Sequence, residues 1–112
     1  MIKLNDYLSQ KVEVMIDRPI GSTHPDFGFA YPINYGYIPG TLGLDGEPID
    51  AYVLGVSKPL ETFEGICIAI LQRLNDNDDK LVVVEEGTQI TDAKIVEATR
   101  FQEQYFEIRI LR

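Results

Sequence analysis

Tyr31-Pro32-Ile33-Asn34-Tyr35-Gly36-Tyr37-Ile38-Pro39-Gly40-Thr41-Leu42-Gly43-Leu44-Asp45-Gly46-Glu47-Pro48-Ile49-Asp50 is the stretch on which the reading of this chain turns. Its first half is aromatic and apolar, with Tyr35 to Ile38 spaced as a short strand. Its second half places Asp45, Glu47 and Asp50 on a turn punctuated by glycine and proline. A turn that tight is expected to bring all three carboxylates into a shared region. Like charges held that close repel unless a positive group sits among them. Hard divalent cations with oxygen ligands, magnesium above all, are the natural occupants. The plain alternative is a solvated acidic turn, because Asp-Gly is also a common hairpin signal.

Working outward, six segments read as strands. Lys11 to Ile16 alternates like a strand buried on one side. Tyr35 to Ile38 and Asp50 to Val56 flank the acidic turn. Gly65 to Leu74 is the longest apolar run, with Ile66, Ile68 and Ile70 at period two. Asn75 to Asp79 is a polar turn, and Lys80 to Val84 returns from it. Phe106 to Leu111 alternates once more. The one helix runs from about Thr91 to Tyr105, with Thr91 as N-cap and Asp92 in the first turn. On it Ile95, Ala98, Gln102 and Tyr105 are expected to share the buried face. Short strands with one late helix specify a mostly β fold, a small antiparallel barrel with one C-terminal helix packed on it. No repeat or linker divides the chain, so residues 1–112 read as a single domain.

Composition narrows the function. The chain has 112 residues, 45% of them hydrophobic, and a formal charge of −8. That charge argues against nucleic acid or an anionic membrane surface as partner. It would also repel a phosphate substrate unless cations reverse the local sign. Cys67, the single cysteine, lies in an apolar run and reads as a core residue. Met1 to Asp6 lacks a signal-peptide core, and no apolar run approaches the roughly 20 residues that span a bilayer. A soluble cytoplasmic protein is expected.

With its flanks, the acidic turn resembles the signature of soluble family I inorganic pyrophosphatases: Asp, a small residue, Asp or Glu, Pro, an apolar residue, Asp. Asp45-Gly46-Glu47-Pro48-Ile49-Asp50 nearly fills it. Tyr31-Pro32-x-Asn34-Tyr35-Gly36-Tyr37-Ile38, Asp78-Asp79-Lys80-Leu81 and Phe101-Gln102-Glu103-Gln104-Tyr105 are similar to further family segments. The resemblance implies an OB-like barrel of the pyrophosphatase type and magnesium-dependent hydrolysis of pyrophosphate by a metal-activated water. It also implies roles: Asp45, Asp50 and Asp78 as metal ligands, Glu47 as the base, and Tyr35, Lys80 and Tyr105 on phosphate oxygens. Asp17 and Asp76 align loosely with two other family carboxylates. A small phosphorylated substrate and homo-oligomerisation are the expected partners, with Phe27, Phe29 and Tyr31 as exposed aromatics for a subunit contact.

The departures bear on activity. Gly21 to Phe29, where the family supplies a lysine and an arginine to the phosphates, contains neither. Phe106 stands where the family has lysine, and Glu47 where it generally has Asp. The extra methylene moves that carboxylate by roughly 1.5 Å of chain reach, and misplacement of that size at a reacting centre costs about 10²-fold. Two alternatives therefore remain beside pyrophosphate hydrolysis. One is a metal-dependent hydrolase of another phosphate ester or nucleotide; the other is a catalytically retired cation-binding relative. His24 reads as an exposed loop residue, with a compensating phosphate contact from His24 or Arg18 as the sharper reading.

Overall fold

The computed structural model describes residues 3–112, so the reading of Met1 to Asp6 falls partly outside it. The six strands are β1 (Lys11–Arg18), β2 (Asn34–Tyr37), β3 (Asp50–Val53), β4 (Thr62–Arg73), β5 (Lys80–Val84) and β6 (Ile108–Leu111), and the helix α1 (Asp92–Glu103) lies between β5 and β6. The sheet order is β1-β2-β3-β5-β4-β6, and an added β1–β4 pairing closes a five-stranded barrel with β6 as an annex. All pairings are antiparallel except β3 with β5. Among the described residues no helix is long and apolar enough to cross a membrane.

β4 makes the closure possible, because it is 12 residues long and serves three partners. Its first part pairs with β1 from Thr62 to Ile66, and its last part pairs with β5 and β6. A side chain at Gly65 would put Cβ 2.4 Å from the Val84 carbonyl oxygen, so only glycine lets the strands approach there. Between Cys67 and Ala69 the pairing with β5 shifts register. That bulge breaks the alternation seen at Ile66, Ile68 and Ile70. Cys67, Ala69, Ile70 and Leu71 are fully buried, whereas Ile66 and Ile68 are only half-buried.

Alternate residues of the same strands form two cores. Val12, Val14, Ala51, Val53, Cys67, Ile70, Leu81 and Val83 fill the barrel. Tyr52, Ala69, Leu71, Val82 and Val84 face outward and pack beneath Ile95 of α1. Burial of Ile95 contributes about 1.5–3 kcal/mol to docking the helix. Thr91 caps α1 by accepting the Lys94 N–H at 3.3 Å. The buried stripe of α1 is Ile95, Thr99 and Glu103, flanked by half-buried Ala98, Phe101 and Gln102. This corrects the expected face: Tyr105 lies past the helix end and is 69% exposed. Cys67 is core, as expected, and burial pushes its thiol up to about 11.

Candidate active site

The parallel pairing of β3 and β5 builds the site. It sets Asp50, the first residue of β3, beside Lys80, the first residue of β5. Both lie in phase with Tyr52 and Val82, so they belong to the outer, helix-covered face. Lys80 is 1% exposed and sits on an interior strand, not at a sheet edge. Its Nζ donates to Asp50 Oδ2 at 2.8 Å and lies 2.7 Å from Asp78 Oδ1. Asp78 comes from the turn between β4 and β5, which Asp76 caps by accepting the Asp78 N–H.

The two carboxylates share one cation, and they differ in consequence. Burial, together with the Asp78 charge, holds Asp50 above the ordinary carboxylate range despite Lys80. Burial also works to raise Asp78, but the Lys80 ammonium, a hydrogen bond from Asp50 and Arg73 outweigh it and hold Asp78 below that range. Tyr35 lies across from Tyr52 on β2, with its ring 5.4 Å from Lys80 Nζ. Burial first, then the nearby Asp50 charge, keeps the Tyr35 phenol firmly protonated.

The acidic turn is held by its own backbone. Ile38 donates to the Ile49 carbonyl at 2.8 Å, and Gly43 donates to Glu47 at 2.7 Å. Gly46, at φ +83°, supplies the left-handed step. Asp45 accepts the Glu47 N–H at 3.0 Å, so its carboxylate works partly as a turn cap. A cavity of about 680 Å³ is lined by Asp45, Asp50 and Asp78, with Leu42 and Leu44 exposed at its rim. Glu47 is exposed and outside that lining. The expected convergence of Asp45, Glu47 and Asp50 is therefore corrected. Asp50 is fixed on a strand, Asp45 reaches the same cavity from the turn, and Glu47 is not among the residues that line it. Among the described residues no three carboxylate, thiol or imidazole groups are close enough to form a ready-made metal centre.

Beneath the site lies a buried network that sequence reasoning missed. Arg73 donates to Glu103 through Nε at 3.0 Å and Nη2 at 2.7 Å. Its remaining nitrogen, Nη1, lies 3.5 Å from Asp76 and 3.6 Å from Asp78. Tyr52 donates to Glu103 at 2.6 Å, and Gln102 donates to Tyr52. The Phe106 ring lies under the guanidinium at 3.6 Å. The signal was present: Glu103 follows Ile95 and Thr99 at steps of four along one helix stripe.

Other expectations fall differently. Tyr105, which the resemblance put on phosphate, lines a separate cavity with His24, Phe27 and Phe29. Tyr31, expected as an exposed contact, is 3% exposed, whereas Phe27 is 76% exposed. Asn34 is a buried clamp: its Oδ1 accepts from Ile20 and Leu60, and its Nδ2 donates to the Lys58 carbonyl. Asp17 is exposed on β1.

Several known proteins are similar to this chain. The chain is 30% identical over 113 residues to soluble inorganic pyrophosphatase 2 of Chlamydomonas reinhardtii, covering 85% of this chain and 59% of that one. It is 40% identical over 61 residues to an inorganic pyrophosphatase of Aeropyrum pernix, covering 51% of this chain and 35% of the relative. The chain thus spans between about a third and three-fifths of the length of these curated relatives. Its fold matches the crystal structure of the Ehrlichia chaffeensis inorganic pyrophosphatase with TM-score 0.69 at 18% identity, over 91% of this chain and 85% of that one. The Helicobacter pylori enzyme gives TM-score 0.65 at 19% identity, over 97% and 86%. Residues 7–109 match the family model described as inorganic pyrophosphatase, and with that match the chain belongs to the inorganic pyrophosphatase family.

Proposed function

We propose that this protein hydrolyses inorganic pyrophosphate to phosphate with the help of magnesium. The observation that carries the reading is the meeting of Asp50 Oδ2 and Asp78 Oδ1 at Lys80 Nζ, on the wall of a cavity that Asp45 also lines. The donor chemistry fits a hard divalent cation, because all three groups offer carboxylate oxygen and the two central ones are already held together by a positive charge. Asp50, Asp78 and Asp45 would hold the metal. Bound there, a divalent cation would neutralise substrate charge and lower the pKa of a water.

The chain's own residues do the rest. Lys80 is buried to its ammonium and can turn its donors from the carboxylates to phosphate oxygens. Tyr35 stays a neutral phenol and offers an O–H donor beside it. Arg73, tied to Glu103 by two hydrogen bonds, holds Asp78 in place through Nη1. The base is assigned to Glu47 on the resemblance alone. We assign the protein to the cytoplasm, as one domain that forms homo-oligomers, with a small phosphorylated compound as its ligand.

The test is phosphate release from pyrophosphate with magnesium. The wild-type protein should turn over, and Asp50→Asn should lower the rate by at least about 10²-fold. No release with magnesium, manganese, cobalt or zinc would refute the reading.

A further inference from the structure

Arg73 and Lys80 are the buried cations among the described residues, and they are held in opposite ways. Lys80 reaches Asp50 Oδ2 at 2.8 Å and Asp78 Oδ1 at 2.7 Å from the end of a flexible stem. Arg73 is fixed on several sides. Its Nε and Nη2 donate to the two oxygens of Glu103 at 3.0 and 2.7 Å, and the Phe106 ring lies 3.6 Å from the guanidinium. Its side chain is 4% exposed. Drawing it off Glu103 would strand a buried carboxylate, so a ligand can turn Lys80 aside but not Arg73.

The turn between β4 and β5 wraps around that fixed charge. Nη1 lies 3.5 Å from Asp76 Oδ2 and 3.6 Å from Asp78 Oδ2, and the Arg73 N–H donates to Asp79 Oδ1 at 2.9 Å. The other oxygen of Asp76 accepts the Asp78 N–H. Both Asp76 oxygens are thereby engaged, and so is Asp78 Oδ2. Asp76 also lies outside the lining of the cavity that holds Asp50 and Asp78. Asp45 and Asp79 do line it, but each spends one oxygen on a backbone N–H.

Once Lys80 turns away, one gathering of oxygens is released. It consists of Asp50 and Asp78 Oδ1, with the second oxygen of Asp45 in the same cavity wall. A magnesium ion seats its oxygens at roughly 2.1 Å. An ion placed between Asp76 and Asp78 Oδ2 would have to share both oxygens with a guanidinium that cannot leave. Cations that close repel strongly where water is scarce.

We propose that Arg73 is a positioning residue that serves as a built-in counterion, filling the place between Asp76 and Asp78 and limiting the site to one divalent ion, seated on Asp50 and Asp78 Oδ1. This rests on the metal reading of the same site. Asp76 is then a partner of Arg73 and not an ion ligand.

The test counts manganese ions per molecule by equilibrium dialysis of the full chain, in about 0.15 M salt to screen the acidic surface. Wild-type protein should take up a single ion. Asp76→Asn keeps an oxygen for the Asp78 N–H and should change the affinity by no more than about threefold, against at least about tenfold for Asp50→Asn. Arg73→Met combined with Glu103→Leu removes the counterion together with its buried partner and should admit a second ion. Circular dichroism checks that this variant folds; if it does not, the wild-type count and Asp76→Asn decide. Two ions on the wild-type chain, a loss in Asp76→Asn as large as in Asp50→Asn, or a folded double variant that still takes one ion would each overturn the proposal. A wild-type chain that takes up no manganese would refute the metal reading itself, and the proposal with it.

Discussion

The same three strands present two unlike faces. Toward the barrel axis β3, β4 and β5 put Ala51, Val53, Cys67, Ile70, Leu81 and Val83, all of them uncharged. Toward the helix they put Asp50, Tyr52, Arg73 and Lys80, of which Arg73 and Lys80 are almost wholly buried. One residue of register separates the two. The dry face gains from packing and has little chemistry to offer. The outer face places charges where water is scarce, so each must be paired, and no buried side-chain nitrogen or oxygen among the described residues lacks a partner. The lesson is a division of labour: the inner face fixes the strand ends, and the outer face uses that rigidity to hold Asp50, Asp78 and Lys80 together.

The sharpest way to break this contrast is to cut the outer network at Arg73. Arg73→Met leaves the buried Glu103 carboxylate without its cation, with Tyr52 still donating to it, which should cost about 3–5 kcal/mol of stability. Adding Glu103→Leu should restore most of that loss, because apolar replacement of a whole buried pair is often neutral. Urea denaturation reads both. A double variant no more stable than Arg73→Met would show that the pair is not a unit.

On the inner face Leu81→Ala should cost about 2–5 kcal/mol through transfer and cavity terms. Because Leu81 lies in the barrel core, phosphate release per folded molecule should stay near the wild-type value. A large fall in turnover at full folding would erase the proposed separation of the two faces.

A smaller effect distinguishes the two carboxylates in metal-free protein. Asp78 is held below its unfolded value of about 4. Its contribution to stability is present above that pH and is lost as pH falls through the lowered folded value. Asp50 is raised, so its contribution is present at low pH and is lost as pH rises through the folded value. In chelator, Asp78→Asn should therefore destabilise at pH 7 and become neutral in acid. Asp50→Asn should behave better at pH 7 than at pH 3, relative to wild type. Urea midpoints followed from pH 3 to pH 7 check this, and curves of the same sign for both variants would contradict it.

Much of the frame was legible in the sequence, because strand periodicity is a local signal. Lys80–Val84 was expected with the bounds it has, and Thr91 caps the helix as read. The bulge after Cys67 was not legible, since it arises from pairing with a strand distant in sequence. The helix face was misread by about one position, because Thr99 and Glu103 are polar residues that tertiary pairing buries. Arg73 lies inside the run Gly65 to Leu74, which reads only as a strand, and the fold shows it beneath Asp78. At the candidate site, the acidic turn pointed to Asp50, and Asp78 entered through the family resemblance. Neither signal could tell that the turn between Gly43 and Glu47 would satisfy itself and leave Glu47 outside the cavity.

The most direct test of the central claim is manganese binding followed by electron paramagnetic resonance, with manganese standing in for magnesium. Wild-type protein and Glu47→Gln should bind the ion alike, whereas Asp50→Asn and Asp78→Asn should each bind it at least about tenfold more weakly. Equal binding by all four proteins would show that the oxygens gathered around Lys80 are not where the cation sits.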